Sequence, residues 1–249
     1  MTIEQSPAVA GKETNLKKWF SSVQVVNLDK FPARWKGFHE RAKKAGITGF
    51  ERFPGIEGDK TPHPPWWRAG NGAWGCMSSH FHIAQRHLTN GNKGHLLLFE
   101  DDCVFSEDFA ERLPKIMEEV GDDWDMLYFG GQHQHLQFNK LPWRNADNKE
   151  VINAHNLCRT HAFAVNKRFV GHYQSYIIDA FKYHKQDGQK IDKWTHFDHH
   201  LGRLHQRRQK KILAVQPWIC GQAEGQSWTT GARVRENWWT IKEGQIKKK

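Results

Sequence analysis

Three acidic residues, Glu100, Asp101 and Asp102, stand together directly after the apolar run 95–99. In an open parallel sheet, ligands bind outside the carboxyl ends of the strands, so these carboxylates are expected where a site forms. Adjacent carboxylates repel one another unless a cation or basic side chains compensate their charge. Mg²⁺ or Mn²⁺, bound by carboxylates and phosphate oxygens, would do so and would stabilise a diphosphate leaving group. The plainer alternative is that the acids cap a helix beginning near Ser106.

A second group of chemically active side chains lies in residues 195–205, where four histidines surround Asp198. A carboxylate such as Asp198 can act as the general base that removes a proton from a hydroxyl acceptor. His199 or His200 could complete the metal site or contact the diphosphate, and neighbouring residues on a helix point in different directions, so at most one is expected to be a ligand. The spacing matches no recognised zinc motif such as His-Glu-x-x-His. Surface histidines without a ligand remain an alternative.

The elements that must position these groups follow from apolar periodicity. Apolar and β-branched runs predict strands at 22–28, 50–53, 95–99, 125–129 and 212–215, and two short pieces within 151–165. Helical spacing predicts helices at 35–45, 73–88, 107–120 and 167–183, and another over 198–205. Gly130 and Gly131 are expected to end a strand, and large loops are predicted at 55–72 and 132–149. This order predicts an α/β fold with a mainly parallel sheet flanked by helices.

Length and composition bound the class of protein. The chain has 249 residues, of which 38% are hydrophobic, with 12 Trp and 15 Phe, and these values indicate one folded domain. Residues 1–18 are predicted to be a loose arm, and residues 19–245 the domain. No run approaches the roughly 20 apolar residues that span a bilayer, and the first residues lack the order of a signal peptide, so a cytoplasmic location is expected.

The cysteines and the net charge give two further expectations. Cysteines at 76, 103, 158 and 220 form no Cys-x-x-Cys pair, so they are predicted to be reduced packing residues. The net charge is +10, with basic residues concentrated at 203–211 and 247–249. Such a field attracts polyanions, such as nucleic acid or phosphorylated saccharides. A solvated basic face without a partner is the alternative.

The ordered succession of several short motifs resembles glycosyltransferase family 25, the lipooligosaccharide and collagen-type transferases of GT-A fold. The resembling segments are VVNLD (25–29) followed by Arg34, FPGIEGD (53–59), GAWGC (72–76) with Ser79 and His80, LFEDD (98–102) and DWD (123–125). The likeness covers about residues 22–131 and thins afterwards to residues 222–227. It implies a GT-A, Rossmann-like fold, a nucleotide-sugar donor, commonly a UDP-sugar, and transfer with inversion. Residues 22–131 would form the nucleotide-sugar half and residues 132–245 the acceptor half.

The resemblance also implies roles for individual residues. Glu100 and Asp102 would take the place of the family's metal and donor acids, with Asp102 preferred as the direct ligand of Mn²⁺ or Mg²⁺ and Asp101 beside them in the donor site. His200 is added to the metal set, and Asp198 is the candidate base. The residues expected to border the nucleoside or shape the nucleotide pocket are Asn27, Leu28, Arg34, Glu57 and Asp59. Those carried over on the following helix are Trp74, Ser79 and His80. The residues expected near the donor phosphates or the acceptor are Gln222 and Ser227.

Three interpretations of the function remain open, two of which differ in the acceptor. The first is a hydroxymethylated pyrimidine base in DNA, as in phage-type DNA modification, because the basic segments would suit a phosphate backbone and an extruded base. The second is a lipooligosaccharide core sugar, which is anionic as well. The third is a non-catalytic nucleic-acid-binding protein on a transferase scaffold. A fold alone does not decide between them, because one scaffold hosts many acceptors.

Overall fold

The computed structural model describes residues 13–65, 67, 69–133, 150–154, 156–186, 196–207, 210–227 and 233–234. Several sequence predictions therefore lie outside the described residues: most of the arm 1–18, most of the loop 132–149, much of the basic segment 203–211, the basic segment 247–249 and most of the Trp-rich tail. Within the described ranges, no helix combines the length and apolar character that crossing a membrane requires.

The described chain forms many short strands and five longer α-helices. The strands are β1 (Thr14–Asn15), β2 (Phe20–Asn27), β3 (Ile47–Thr48), β4 (Glu51–Pro54), β5 (His95–Glu100), β6 (Cys103–Phe105), β7 (Met126–His133), β8 (Val151–Asn153), β9 (Leu157–Val165), β10 (Ile212–Val215), β11 (Cys220–Gln222), β12 (Gly225–Gln226) and β13 (Arg233–Val234). The α-helices are α1 (Pro32–Lys44), α2 (Asn71–Thr89), α3 (Phe109–Val120), α4 (Val170–Gln186) and α5 (Phe197–Arg207), and Leu16–Lys18 forms a 3-10 turn.

A mixed seven-stranded sheet, ordered β4-β2-β5-β9-β7-β10-β8 among the described residues, forms the centre of the fold. Strands β4, β2, β5, β7 and β10 run in one direction, whereas β9 and β8 run antiparallel to their neighbours. The predicted α/β class and mainly parallel sheet are confirmed. Strand β9 from the second half of the chain lies between β5 and β7 of the first half, so the two predicted halves share one sheet.

Strand β5 is buried on both faces, as its uninterrupted apolar run predicted. Leu97 and Phe99 pack in the layer that contains the apolar faces of α1 and α3. Leu96 and Leu98 pack in the opposite layer, with α2, α4 and α5. Successive side chains of a strand point to opposite faces, so the four residues join the two cores. The sheet edge beyond Glu100 is thereby held between helices on both sides.

The structure departs from the sequence predictions at several points, including the end of β7 and an additional short strand. Strand β7 continues through Gly130 and Gly131, because the first part of β9 pairs with it. Glycine is required at position 130, where a side chain would collide with His161. Within the segment predicted as a loose arm, Thr14 pairs with Ile47 and Leu16 is fully buried. Strand β6 was not predicted; it is short and pairs with the distant β11.

Candidate active site

The three acids lie at the edge of the sheet that the sequence indicated. Glu100 is the last residue of β5 and pairs in register with Val26 of β2, and the backbone N–H of Asp101 donates to the Val26 carbonyl at 3.1 Å. Asp101 and Asp102 occupy the turn that leads into β6. Because β6 separates these acids from α3, they do not cap that helix. The helix-capping alternative is therefore wrong.

A basic and an amide side chain hold the two aspartates. Arg34, in the first turns of α1, places one guanidinium nitrogen 2.6 Å from Asp101 Oδ1 and 3.0 Å from Asp102 Oδ2. Asn27 Nδ2 donates to Asp101 Oδ2 at 2.6 Å. Arg41 donates to the backbone carbonyls of Asp101 and Cys103. The turn is thus fixed by α1 and the end of β2, and part of its negative charge is compensated.

One carboxylate oxygen of Asp102 is buried without a hydrogen bond from the described residues. Its Oδ1 atom has no hydrogen-bond partner among the described residues, although its Oδ2 accepts the contact from Arg34. Its backbone carbonyl accepts from the N–H of Ala223 at 2.8 Å, which fixes the residue against the end of β11. A buried carboxylate oxygen without a partner is costly unless something binds it. Asp102 is therefore placed to accept a ligand.

Glu100 is a carboxyl group in an unfavourable setting for charge. Its Oε1 accepts a hydrogen bond from the Thr160 hydroxyl at 2.7 Å. Burial, and then the negative charge of Asp102, raise the pKa of Glu100 from 4.5 to about 8. Burial also raises the pKa of Asp101, against the opposing effect of Arg34 and Asn27. A cation close to Glu100 and Asp102 would relieve this penalty.

Two residues of α2 approach the same carboxyl group. Cys76 and His80, one helical turn apart, each bring a potential ligand atom within 4.8 Å of each other and of a Glu100 oxygen. Burial lowers the pKa of His80 from 6.5 to about 4, so its ring is neutral near pH 7. Burial, followed by the charges of Glu100 and Asp198, raises the pKa of the Cys76 thiol well above its usual value. These groups form the inner wall of the site.

Close backbone contact forms the outer wall of the site. The Ser79 hydroxyl accepts from the Ile56 N–H at 2.8 Å and donates to the Gly75 carbonyl at 2.7 Å. A Cβ atom at Gly75 would collide with the Ile56 carbonyl, and one at Gly58 would collide with the Asn71 carbonyl. Glycine at these positions lets residues 55–59 lie directly on the start of α2.

These walls enclose a cavity of about 270 Å³. The predicted site residues that line it are Leu28, Arg34, Glu57, Asp59, Ser79, His80, Glu100, Asp101, Asp102, Gln222 and Ser227. Ser79 also has a structural role, because it fastens the outer wall. On the same wall, the Lys30 ammonium lies 3.2 Å from Glu57 and 3.4 Å from Asp59. Most residues that the sequence resemblance brought forward therefore meet in one concave space.

Four predicted residues do not line this cavity. Asn27 lies behind it and acts on Asp101. The Trp74 ring packs against Trp67, with ring centroids 5.2 Å apart, so Trp74 shapes the preceding loop rather than the cavity. The centroids of the His200 and Tyr176 rings lie 4.9 Å apart. His200 is absent from the groups of three potential ligands that the described residues form, so the geometry does not join it to Glu100 and Asp102.

The fourth of these residues, Asp198, lies in the first turn of α5. Its two oxygens accept from the backbone N–H groups of Arg159 and His199, at 2.9 and 2.8 Å. Arg159 has a positive φ of 73°, and its guanidinium donates to Gln222 at the cavity wall. Asp198 is thus linked to the cavity through Arg159 and Gln222, and its role as a base stays a prediction.

Sequence reasoning did not assign two of the residues that contact this region, Cys76 and Lys30. Cys76 was interpreted as a packing residue, although its position four residues before His80 places both on one face of α2. Lys30 gave no pattern of its own. Its place depends on which loops and strands meet at the sheet edge, and short local patterns carry no such information.

The residues of this site suit a divalent cation. Asp102 offers a buried oxygen without a partner in the described chain, and Glu100 is a neighbouring carboxyl group with a raised pKa. Mg²⁺ and Mn²⁺ prefer oxygen ligands and bind through one or two carboxylates together with substrate phosphates. The donor set of Asp102 and Glu100 therefore fits such an ion.

Comparison with known proteins gives partial likenesses. The "Probable inactive glycosyltransferase 25 family member 3" of Bos taurus is 39% identical over 62 residues, which cover 24% of this chain and 10% of that protein. The "Inactive glycosyltransferase 25 family member 3" of Mus musculus is 31% identical over 85 residues, or 33% of this chain and 14% of that protein. This chain thus matches only a small part of these curated relatives.

A solved structure and a family model extend the comparison. The crystal structure of "a glycosyltransferase involved in the glycosylation of the major capsid of PBCV-1" aligns with 79% of this chain and 81% of its own, at a TM-score of 0.44 and 10% identity. The family model described as "Glycosyltransferase family 25 (LPS biosynthesis protein)" matches residues 20–186, from the first strand of the central sheet to the end of α4. The chain therefore belongs to glycosyltransferase family 25.

Proposed function

We propose that the chain transfers a sugar from a nucleotide-sugar to a hydroxyl group, with the donor diphosphate bound beside Asp102 and Glu100. The observation that carries this proposal is the buried Oδ1 of Asp102, which has no hydrogen-bond partner among the described residues, at the wall of a cavity of about 270 Å³. The volume is near the lower end of the usual range for small-molecule sites. Family membership supports the class of reaction, and a UDP-sugar is the expected donor.

Different side chains of the cavity would contribute to donor binding in different ways. Asp102 and Glu100 would hold Mn²⁺ or Mg²⁺, which supplies neutralisation of the charge that develops on a diphosphate leaving group. Arg34 keeps both aspartates oriented, and Asn27 holds Asp101 from behind. The backbone contacts around Ser79 keep the opposite wall in place. A preorganised site of this kind acts mainly by positioning and electrostatic stabilisation.

Asp198 remains the proposed general base. Its link to the cavity through Arg159 and Gln222 supports a place on the acceptor side. We expect Asp198→Asn to lower turnover at least tenfold with little change in donor affinity. Equal losses in turnover and donor affinity would show that Asp198 is not the base and that it has a structural role at the start of α5.

Asp102→Asn tests the assignment of the donor site. This nearly isosteric change removes the negative charge, so Mn²⁺-dependent binding of UDP-sugars, measured by calorimetry, should be lost while the circular dichroism spectrum is retained. Asp122→Asn is the matched control, because the Asp122 side chain is 89% exposed and lies outside the cavity. Unchanged donor binding or transfer by Asp102→Asn would refute the site.

The acceptor is proposed from charge alone. The net charge of +10 favours a polyanion, and the proposed acceptor is a hydroxymethylated pyrimidine in DNA, with a lipooligosaccharide core sugar as the alternative. Sugar incorporation into each substrate, read by mass spectrometry with a panel of nucleotide-sugars, separates them. Incorporation into saccharide only would make the basic segments incidental to acceptor choice.

The names of the curated relatives favour a second candidate. Both are described as inactive or probably inactive members of the family. A non-catalytic scaffold that binds a nucleotide-sugar or a nucleic acid is therefore the competing function. Donor binding without turnover in every acceptor and metal condition would support this candidate over the transferase.

A further inference from the structure

The inner wall of the cavity combines three different ligand types. Cys76 Sγ, a ring nitrogen of His80 and a Glu100 oxygen lie within 4.8 Å of one another. Cys76 and His80 come from one face of α2, and Glu100 comes from the end of β5, so two rigid elements position the group. Three protein ligands beside an open cavity correspond to the arrangement of zinc sites that keep one position free.

The hydrogen bonding of His80 indicates which of its nitrogens faces an ion. His80 Nδ1 lies 2.9 Å from the Tyr173 hydroxyl, and both groups are buried. His80 Nε2 is buried without a hydrogen-bond partner in the described part of the chain, although the residue lines the cavity. Donation from Nδ1–H to Tyr173 would leave a lone pair on Nε2, and a hydrogen bond of this kind orients metal-binding histidines.

We infer that Cys76, His80 and Glu100 form a binding site for a soft divalent ion of the Zn²⁺ class, with its fourth position open to the cavity. Thiolate and imidazole ligands favour Zn²⁺ and Co²⁺, whereas Mg²⁺ and Mn²⁺ prefer oxygen. The site shares only Glu100 with the proposed donor-metal site and requires neither Asp102 nor a nucleotide. This inference goes beyond the proposed transfer and does not depend on it.

Binding of the ion has a defined proton balance. The Cys76 S–H bond breaks, the sulfur keeps the electron pair for the metal, and the proton leaves to solvent. A Glu100 that is protonated before binding also releases its proton. The apparent affinity must therefore rise with pH. Burial raises the pKa of the Cys76 thiol in the absence of an ion, so this proton must be released when the ion binds.

Co²⁺ is the probe for the 249-residue chain, because a bound thiolate gives a near-ultraviolet charge-transfer absorption. We expect this absorption in the wild type, its persistence in Asp102→Asn, and its loss in Cys76→Ser. Added Zn²⁺ should abolish it, and an equal concentration of Mg²⁺ should not. Its absence from the wild type, or its persistence in a folded Cys76→Ser variant, would overturn the inference.

Cys158→Ser is the matched control, because Cys158 belongs to a separate group with Asp198 and His199. Retention of the absorption in this variant supports the site at Cys76, and its loss there alone would place the ion elsewhere and overturn the assignment. If the Cys76→Ser variant does not fold, alkylation of the wild-type cysteines tests the same site. Zn²⁺ should slow labelling of Cys76 at least tenfold, mapped by peptide mass, and equal labelling with and without Zn²⁺ would contradict the site.

Discussion

Asn27 donates a 2.6 Å hydrogen bond to Asp101, a residue 74 positions away, and so joins the end of β2 to the turn after β5. The other oxygen of Asp101 contacts Arg34, which also reaches Asp102. The neighbouring parallel strands β2 and β5 and the helix α1 thus converge on one acidic turn. This convergence makes several variants informative.

Arg34→Met should disturb the acidic turn without changing the helix propensity of α1. Loss of the guanidinium leaves two largely buried aspartates without their cation, at a cost of about 1–3 kcal/mol in the free energy of unfolding. Donor binding should weaken at least tenfold, because Asp102 loses its orientation. Lys36→Met on the same helix is the control, since Lys36 is exposed and its contact with Glu40 spans 3.9 Å. Calorimetry and urea denaturation measure both effects, and equal behaviour of the two variants would contradict the role of Arg34.

Gly75→Ala should loosen the outer wall of the cavity. The added methyl group would collide with the Ile56 carbonyl, a backbone atom, so the loop 55–59 must move away from α2. Overpacking of this kind costs about 1–3 kcal/mol, and donor affinity should fall with it. Gly171→Ala in α4 is the matched control, because among the described residues nothing beyond its chain neighbours and its own helix backbone lies within 4 Å of the added carbon. That variant should gain about 0.5–1 kcal/mol from helix propensity. Thermal unfolding that changes in the same direction for both variants would be inconsistent with this wall.

Glu100→Gln should stabilise the metal-free protein at alkaline pH while it abolishes transfer. The pKa of Glu100 is raised from 4.5 to about 8, so the folded state holds a proton that the unfolded state has lost. Stability therefore falls as pH rises from 4.5 through 8. Glutamine removes the charge and can still accept from Thr160. In EDTA at pH 9 the variant should exceed the wild type by on the order of 2 kcal/mol.

At pH 4 the difference between Glu100→Gln and the wild type should nearly disappear, because Glu100 is then largely protonated in both the folded and the unfolded state. Glu118→Gln, on the exposed side of α3, is the control and should follow the wild type at both pH values. A Glu100→Gln variant that is less stable than the wild type at pH 9 would show that the ionised carboxylate is well compensated in the folded protein.

His161 should make the fold sensitive to acid. Burial, and then the Arg159 guanidinium, lower the pKa of His161 from 6.5 to about 3. Below pH 6.5 the unfolded chain binds a proton that the native state does not, so stability decreases as pH falls towards 3. Between pH 7 and 5 this residue should account for a loss of about 2 kcal/mol.

His161→Gln should remove that part of the loss, measured by urea denaturation at both pH values. The comparison must be made between variant and wild type, because Glu100 changes stability in the opposite direction over the same range. An identical loss in both proteins would assign the acid sensitivity to other groups, such as His80, whose pKa falls to about 4.

Local patterns predicted the elements that are apolar on a regular period. The run 212–215 is strand β10 as predicted, and α2 extends only two residues beyond the predicted start and one beyond the predicted end. The uninterrupted apolar run before Glu100 identified a strand buried on both faces and placed the acids at its carboxyl end. These predictions succeeded because side-chain periodicity and burial are recorded in adjacent residues.

By itself, the sequence determined the α/β class, the acidic turn at the sheet edge and the family resemblance, since each is written in short contiguous segments. Only the tertiary structure decided that β9 lies antiparallel between β5 and β7 and that β7 continues through two glycines. It also decided that Cys76 and His80 meet Glu100, while Asp198 and His200 lie outside the cavity wall. The physical reason is that strand partners and side-chain neighbours come from residues tens of positions apart, and their choice depends on the packing of the whole core.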